Sequence, residues 1–413
     1  MALDYQQLLA LDEADPLKHC RDWFDLPPNT IYLNGNSLGP PLKGSQEYLQ
    51  DVIGKQWAGD LVGAWNNHHW FEWGTKIGDK LAALIGAQAG EVVVCDNTSV
   101  NLFKLLIAVM RLQLPRNKII VPESLFPTDL YMAQSVVDLL RDQNCQLVTV
   151  NEDTLVDVID SDTAVVVTSQ VNFRTGNKQD CQLINQRAKE LGALVVWDLC
   201  HSVGAVPVTV ADDGIDLAVG CTYKFLNGGP GSPAFVYVAS DLQSQLQQPL
   251  SGWFGHAQPF TFSPEFEPAL DVRRFQSGTP PILSMAGLYH ALSIWEKVNI
   301  KQVWEKAGLL GQHLIALFDE YAKALNMEVV TPKDSANRGA QVSVGHQSAY
   351  AIIQALAAKN IVGDFREPNI MRFGLSPLFT RYSDLWELAI AMKQIIEEKE
   401  YAQQRFTVRR AVT

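Results

Sequence analysis

Short apolar runs alternate with amphipathic stretches between about residues 88 and 240. The runs are rich in valine and isoleucine and read EVVVC, KIIVP, QLVTV, TAVVVTSQV, ALVVWD, DLAVGC and SPAFVYVA. Between several of them lie stretches with the apolar spacing of helices, such as SVNLFKLLIAVMRL, TDLYMAQSVVDLLRDQ and CQLINQRAKELG. Continuously apolar strands are typical of a sheet that is covered on both faces. The pattern predicts a doubly wound α/β core with a mostly parallel sheet and crossover helices.

The pattern changes after this core. Residues 282–325 read as long helices, and the later strands MEVV, AQVSV and IMRFG lie between helices at about 348–358 and 382–400. This second pattern predicts a smaller α+β unit. We therefore predict an N-terminal segment that is irregular and wraps over the core (residues 1–50), a large domain (51–325) and a small C-terminal domain (326–413).

Composition and charge narrow the class of protein. Of the 413 residues, 47% are hydrophobic and 19% are charged, which excludes intrinsic disorder. Lys and Arg number 33 against 45 Asp and Glu, a net charge of −12, so the basic surface typical of a nucleic-acid-binding protein is missing. The N-terminus mixes acids with its apolar residues and does not resemble a secretory signal. We expect a cytoplasmic protein that binds neither membranes nor nucleic acid.

Two further features argue against other classes of site or segment. One long uncharged run, Phe275 to Trp295, contains Gln, Ser, Thr, Pro and His residues and is too polar to span a membrane. The six cysteines lie far apart without a CxxC pair, so they define neither a disulfide framework nor a metal site. We predict no metal.

In a doubly wound sheet, ligands bind outside the carboxyl ends of the strands. After EVVVC, Thr98 and Ser99 open a helical pattern, where hydroxyls and free backbone N–H groups can bind a phosphate; an ordinary helix cap is the alternative. After KIIVP, Phe126 can stack on a planar ring and Asp129 opens the next helix. A core phenylalanine and an aspartate that stabilises a helix start are the alternatives here.

Two further strand ends carry an acid and an amine. ALVVWD ends in Asp198, whose carboxylate needs a partner such as a protonated heterocyclic nitrogen, or else caps the following turn. DLAVGCT leads into Tyr223, Lys224 and the glycine-rich GGPGSP, and lysine is the usual residue of Schiff-base chemistry. One crossover fits between the two, so we expect Asp198 and Lys224 at neighbouring strand ends. Together the four ends supply what pyridoxal 5'-phosphate (PLP) requires: a phosphate site, a stacking ring, an acid and an amine.

Motifs along almost the whole chain resemble those of the kynureninases, PLP enzymes of fold type I. They read YLNGNSLGPP, TSVNLFKLL, ESLFPTDLY, VNFRTG, WDLCHSVGAVPV, TYKFLNGGPG, SGWFGH, RRFQSGTPPI and MRFGLSPLFTRYSD. The resemblance implies a large domain with a mostly parallel seven-stranded sheet and a smaller α+β C-terminal domain. It also implies a homodimer with shared active sites, in which the Trp253 and Thr279 segments come from the neighbouring subunit.

The resemblance also implies roles for individual residues. Lys224 matches the Schiff-base lysine, Asp198 the partner of the pyridine nitrogen and Phe126 the stacking ring. The positions around the phosphate are Thr98, Ser99, Tyr223, Trp253 and Thr279, and those near the ring or its 3-oxygen are Asp129, Ser169 and His201. Arg372 matches the arginine that binds the substrate α-carboxylate, with a surface ion pair as the alternative. Trp65 matches a position that lines the aryl pocket, although core packing also explains the aromatic residues of its segment. Gly278, assigned to substrate binding, and Thr279 resemble the bacterial form that prefers kynurenine to its 3-hydroxy derivative.

The activity implied by the resemblance is hydrolytic Cβ–Cγ cleavage of L-kynurenine, or of 3-hydroxykynurenine, to anthranilate (or 3-hydroxyanthranilate) and L-alanine. This reaction belongs to tryptophan degradation and nicotinamide biosynthesis. Lys224 would act as the base at Cα and Tyr223 as the proton carrier at the γ-carbonyl. The alternatives are an aminotransferase, a desulfurase-like lyase and a non-catalytic protein on the same scaffold. The desulfurase is disfavoured because no cysteine follows Cys221.

Overall fold

The computed structural model describes residues 2–409. The strands in chain order are β1 (Ile31–Tyr32), β2 (Val92–Val94), β3 (Lys118–Pro122), β4 (Gln146–Val150), β5 (Thr163–Ser169), β6 (Leu194–Asp198), β7 (Leu217–Gly220), β8 (Phe235–Val238), β9 (Glu328–Val329), β10 (Gln341–Gly345), β11 (Ile361–Val362), β12 (Asp364–Arg366) and β13 (Ile370–Gly374). The helices are α1 (Tyr5–Ala14), α2 (Ser45–Asp51), α3 (Ala58–Asp60), α4 (Ala64–Asn67), α5 (Trp73–Ile85), α6 (Thr98–Gln113), α7 (Pro127–Leu139), α8 (Leu155–Val158), α9 (Cys181–Glu190), α10 (Ser240–Gln243), α11 (Ile282–Leu292), α12 (Ile300–Asp319), α13 (Ala349–Ala358), α14 (Tyr382–Glu397) and α15 (Gln404–Thr407).

The large sheet has seven strands in the order β2-β8-β7-β6-β5-β3-β4. The pairs from β7 through β6, β5 and β3 to β4 are parallel, whereas β8 runs antiparallel to both of its neighbours. Along β5, Val165 and Val167 pack into one apolar cluster and Val166 into the cluster on the opposite face. Burial on both faces explains why these strands are continuously apolar. The predicted doubly wound, mostly parallel sheet is confirmed.

A second apolar core lies in the C-terminal part of the chain. There β12, β13, β10 and β9 form an antiparallel sheet in that order, and α12, α13 and α14 contribute buried side chains to the same core. Leu310 and Leu314 of α12 belong to this core, while Val303 at the start of the same helix packs against the large sheet. The predicted α+β unit is therefore present, and α12 connects the two cores. The domain boundaries at residues 50 and 325 stay predictions.

The N-terminal segment contains a regular helix, so the prediction that its first 50 residues are irregular is wrong for α1. Asp4 and Gln7 form a capping box: each side chain accepts a hydrogen bond from the other's backbone N–H, at 2.9 and 3.0 Å. Leu8 then packs into the C-terminal core. Further along, β1 pairs in parallel with β11, which attaches the segment to the C-terminal part of the chain.

Within residues 2–409, none of the helices combines the length and the apolar character needed to cross a bilayer. No group of three or more His, Cys, Asp or Glu side chains in that range has an arrangement that could hold a metal ion. All six cysteines are free and buried.

Candidate active site

A cavity of about 600 Å³ lies at the carboxyl ends of β2, β3, β6 and β7. The chain order of the strands reverses at this part of the sheet, because β4 and β5, which follow β3 in the chain, lie on opposite sides of β3. Many of the residues predicted from the sequence line it, namely Thr98, Ser99, Phe126, Asp129, Asp198, His201, Tyr223, Lys224 and Arg372. The structure thus brings together, from separate strand ends, the candidates for the phosphate, ring, amine and carboxylate.

Lys224 and His201 form a hydrogen-bonded pair in this cavity, with 2.9 Å between Nζ and Nε2. His201 is buried, and burial together with the charges of Lys224 and Arg372 holds its pKa well below the usual value. A neutral imidazole accepts the hydrogen bond from Lys224 at Nε2, so the ring hydrogen sits on Nδ1. In the described part of the chain, Nδ1 has no hydrogen-bond partner. The cavity therefore presents an unused buried donor beside the lysine amine.

Asp198 and Asp129 form a pair of carboxyl groups on the cavity wall. Asp198 ends β6, and its Oδ1 accepts a hydrogen bond from the backbone N–H of Cys200 at 2.7 Å, so it does cap the following turn. Asp129 is buried in the first turn of α7; burial and the neighbouring charge of Asp198 raise its pKa well above the usual value. A protonated Asp129 can donate to Asp198, and the pair then carries one negative charge. That charge suits a cationic ring nitrogen.

The first turn of α6 provides the candidate anion site. The N-cap of this helix is Asn97, whose side chain accepts from the backbone N–H of Val100 at 3.1 Å. The alternative that Thr98 or Ser99 is an ordinary helix cap is therefore wrong. Both residues line the cavity at the positive end of a 16-residue helix. The Thr98 hydroxyl is otherwise in contact with the Cys200 thiol, at 3.7 Å.

Phe126 stands at the entrance to α7, and its side chain is 45% exposed, so the alternative of a core phenylalanine is wrong. Its ring packs edge to face against Phe173, with 5.2 Å between the centroids. One face of the Phe126 ring is therefore free to cover a planar ligand in the cavity.

Arg372 is buried in an ion pair with Asp364, which rules out the alternative of a surface pair. Its Nε donates to Asp364 Oδ1 at 2.7 Å and its Nη2 to Oδ2 at 2.6 Å. Nη2 also donates to Ser37 Oγ at 3.1 Å, and Nη1 donates to the carbonyl of Phe173. The guanidinium is thus fixed in orientation at the edge of the cavity.

The remaining predicted residues do not line this cavity. Ser169 is buried at the end of β5, in register with Asp198 on the neighbouring strand. Trp253 is 40% exposed, and Gly278 and Thr279 are exposed as well. Trp65 packs against Trp70 and Phe254, with centroid separations of 5.8 and 5.9 Å.

Sequence reasoning missed several residues that line the cavity: Asn36, Ser37, Asn97, Phe173, Cys200, Cys221, Ser232, Leu250 and Arg366. Asn36 and Ser37 lie in the NGNSLG motif, which carried the resemblance without a role for either side chain. Arg366 lies two residues after Asp364 and directly before Glu367 in the run GDFREP, and an arginine with acidic residues so near in the sequence is typical of an ordinary surface position.

Comparison with solved structures identifies the fold. The chain superimposes on a cysteine desulfurase from Thermococcus onnurineus with a TM-score of 0.77 at 17% identity, over 92% of this chain and 98% of that one. A C-DES variant with glycine covalently linked to its PLP cofactor matches with a TM-score of 0.75 at 15% identity, over 94% and 99% of the two chains. The predicted PLP fold type I architecture is confirmed.

Sequence relatives identify the family. Residues 303–392 match the family model described as the kynureninase C-terminal domain. The kynureninase of Pseudomonas fluorescens is 43% identical over 409 residues, which cover 98% of each chain. That of Burkholderia pseudomallei strain 1106a is 43% identical over 413 residues, 99% of each chain. Because the identity is high and extends over nearly the full length of both relatives, the chain belongs to the kynureninase family.

Proposed function

We propose that this chain is a PLP-dependent kynureninase, which hydrolyses L-kynurenine to anthranilate and L-alanine. The observation that carries the proposal is the convergence of Lys224, Asp198 and the first turn of α6 on one cavity, with Arg372 at its edge. Family membership at 43% identity supports the same activity. No cysteine follows Cys221, which argues against the mechanism of a desulfurase despite the shared fold.

The residues of the cavity fit PLP. Thr98 and Ser99 would hold the phosphate at the start of α6, Phe126 would cover the ring, and Asp198 would pair with the ring nitrogen. Lys224 would bind the aldehyde carbon. Two buried polar atoms in this wall lack partners within residues 2–409, Nδ1 of His201 and Oδ2 of Asp129, and both can serve a polar ligand. When bound, PLP supplies an electron sink that stabilises negative charge at the substrate Cα.

Lys224 is the group we assign to proton transfer at Cα. In the cavity its amine is held by His201, which keeps it near the ligand and stays neutral itself. Burial lowers the pKa of Lys224, but negative charge on its neighbours, foremost Cys221, raises it by more. The amine therefore carries a proton at neutral pH, and Lys224 can accept the proton from Cα only as the neutral amine.

Tyr223 is the group we assign to the γ-carbonyl of the substrate. It precedes Lys224 on the same turn and lines the cavity. Burial raises its pKa above the usual value, so the phenol stays protonated at neutral pH and is able to donate to a carbonyl oxygen. Hydrolysis adds one water molecule across the Cβ–Cγ bond: the hydroxyl stays on the acyl carbon of anthranilate and a proton ends on the Cβ of alanine.

We further propose that Trp253, Gly278 and Thr279 complete the site of a partner subunit in a homodimer. All three are exposed, and none of them lines the chain's own cavity. Trp253 packs against Phe71, Phe254 and Phe260, and the exposed members of this group, Trp253 and Phe260, present apolar surface of the kind found at protein interfaces. Mixing two inactive variants, Lys224→Ala and Trp253→Ala, should restore part of the activity if each subunit contributes to the other's site.

The activity is tested by giving the purified protein L-kynurenine with and without PLP and following the fluorescence of anthranilate, with alanine measured separately. We expect stoichiometric formation of both products that depends on PLP. Lys224→Ala should abolish turnover and the covalent retention of PLP after borohydride reduction, read by mass spectrometry. Conversion of kynurenine without anthranilate would instead indicate an aminotransferase and would refute the proposal. The same assay with 3-hydroxykynurenine measures the preference between the two substrates.

A further inference from the structure

Strand β12 places two charged side chains beside Arg372. It pairs antiparallel with β13, so that Asp364 stands opposite Arg372 and Arg366 opposite Ile370. Asp364 and Arg366 are two residues apart, so their side chains lie on the same face of the strand. Arg366 Nη2 lies 3.0 Å from Asp364 Oδ2, the oxygen that also accepts from Arg372 Nη2. One carboxylate is thus shared by two guanidinium groups.

Ser37, which belongs to the N-terminal segment, forms hydrogen bonds with all three of these side chains. Its Oγ donates to Asp364 Oδ2 and accepts from Arg366 Nη2 at 3.2 Å and from Arg372 Nη2 at 3.1 Å. Burial acts to raise the pKa of Asp364, but Arg372 and Arg366 outweigh it, so the pKa lies below its usual value and the carboxylate is ionised. Two guanidinium groups against one carboxylate leave one positive charge at this edge of the cavity, and that charge can attract an anionic ligand.

The hydrogen bonds of the two arginines differ in what they leave open. A guanidinium has five N–H groups. The bonds of Arg372 to Asp364, Ser37 and the Phe173 carbonyl use all but one of them. Arg366 donates through Nη1 to the Phe365 carbonyl and through Nη2 to Ser37 and Asp364, and its Nε has no acceptor in the described part of the chain.

The side chains of the two arginines also differ in exposure, and Arg366 is again the more open. The Arg372 side chain is 1% exposed, whereas that of Arg366 is 31% exposed and lines the cavity. A carboxylate is bound best by two parallel N–H groups. Arg372 alone can offer two only by releasing Ser37 or the Phe173 carbonyl, whereas Arg366 has N–H groups that are already open. The geometry points to a carboxylate site made by both arginines.

We propose that Arg366 binds the substrate α-carboxylate together with Arg372, and that Asp364 and Ser37 are positioning residues that hold the two guanidinium groups side by side. This inference rests on the proposed function and adds a residue to it. It predicts that the site selects α-amino acids with a free carboxylate and that the selectivity is lost when Arg366 is replaced.

The test compares L-alanine with L-alaninamide as ligands of the PLP-loaded protein, through the change in its visible absorption. We expect the natural chain to bind the acid about 10- to 100-fold more tightly than the amide, the range of a charge-assisted hydrogen bond. In Arg366→Gln the affinity for the acid should fall by about that factor, while the affinity for the amide changes less than about threefold. The two ligands also differ in their amino groups. Because the ratio of acid to amide affinity is compared between the natural chain and the variant, this difference cancels.

Two further variants and one separate assay make the outcome decisive. Arg366→Lys keeps the positive charge but lacks the paired N–H groups of a guanidinium, so it should prefer the acid over the amide to an intermediate degree. This variant also serves as the test if Arg366→Gln does not fold. Arg405→Gln, on the exposed C-terminal helix α15, should change neither affinity. The proposal is overturned if the natural chain does not prefer the acid, or if Arg366→Gln weakens both ligands equally, as a structural role would require. Anthranilate formation by the natural chain is measured separately, so that its absence refutes the proposed activity and leaves the carboxylate test standing.

Discussion

The buried side chain of Lys104 connects the start of α6 to the segment that leads to Thr279. Its Nζ lies 2.6 Å from Asp96 Oδ2 and donates to the carbonyl of Phe275. Asp96 directly precedes the cap of α6 and has a backbone φ of +47°, a region that side-chain-bearing residues seldom occupy. The hydroxyl of Ser277 donates to the same carboxylate oxygen at 3.3 Å. We expect Lys104 to hold this strained residue, and with it the first turn of α6, in place.

Replacing Lys104 with Met keeps an unbranched side chain of similar length and removes only the ammonium group. Breaking a fully buried ion pair costs about 3–5 kcal/mol, and leaving the Phe275 carbonyl without its donor costs about 1–3 kcal/mol. The Asp96 side chain, however, is 29% exposed and can recover part of its hydration. The variant also no longer bears the free-energy cost of burying a charged ammonium group. We therefore expect a net loss of about 2–4 kcal/mol in the free energy of unfolding.

The loss is measured by urea unfolding of the PLP-free protein, compared with a matched exposed pair. Lys118 pairs with Asp160, but their side chains are 23% and 44% exposed, so Lys118→Met should lower the free energy of unfolding by clearly less than Lys104→Met does. Because the first turn of α6 is the candidate phosphate site, Lys104→Met should also weaken the binding of PLP, whereas Lys118→Met should not. Equal losses in the two variants would refute the argument that burial makes the Lys104 pair important.

Three further predictions concern the cavity. Phe126→Ala should raise the dissociation constant of PLP about 3- to 10-fold, because stacking contributes about 0.5–1.5 kcal/mol, and Phe126→Leu should fall between the two in an absorbance titration of the PLP-free protein. Ser99→Ala should weaken PLP but not pyridoxal, which lacks the phosphate; equal weakening of both would contradict the assignment. Burial lowers the pKa of His201 in the folded PLP-free protein, whereas the unfolded chain takes up a proton near its ordinary value of about 6.5. Folding stability should therefore fall as the pH drops below about 6.5, by up to about 1.4 kcal/mol per unit from this group, and His201→Asn should remove that part of the slope in thermal unfolding.

The large sheet was predictable because its strands are apolar on both faces and are separated by helices with clear periodicity. The run ALVVWD, for example, is β6 with one residue more, and its last residue Asp198 stands at the cavity as expected. The second unit was predictable in the same way from AQVSV and IMRFG. What periodicity did not give are elements that depend on pairing with distant residues: β1 and β11, of two residues each, exist through their mutual pairing. The helix α1 was missed although its signal, the capping box of Asp4 and Gln7, is present in the sequence.

The candidate site likewise contains residues that the sequence could predict and residues that it could not. Lys224, Asp198, Thr98 and Ser99 could be predicted because each lies at the carboxyl end of a strand or a few residues after it, so that the topology alone brings them to one edge. Arg366 could not, since its meeting with Arg372 is set by the antiparallel register of β12 and β13, and the sequence does not encode that register in any periodic signal. The roles of Trp253, Gly278 and Thr279 depend on a second subunit and stay predictions.

The charge of the cavity differs in sign from that of the whole chain. Lys224, Arg366 and Arg372 bring three positive charges, against which stand ionised Asp364 and the single charge of the Asp198 and Asp129 pair. The positive end of α6 adds about half a charge more. The cavity is therefore positive in a chain of net charge −12, as a phosphate and a carboxylate require. It follows that Asp129 must stay protonated for the balance to hold, and that an Asp129→Asn variant, which is neutral at every pH, should bind PLP at neutral pH with little loss of affinity.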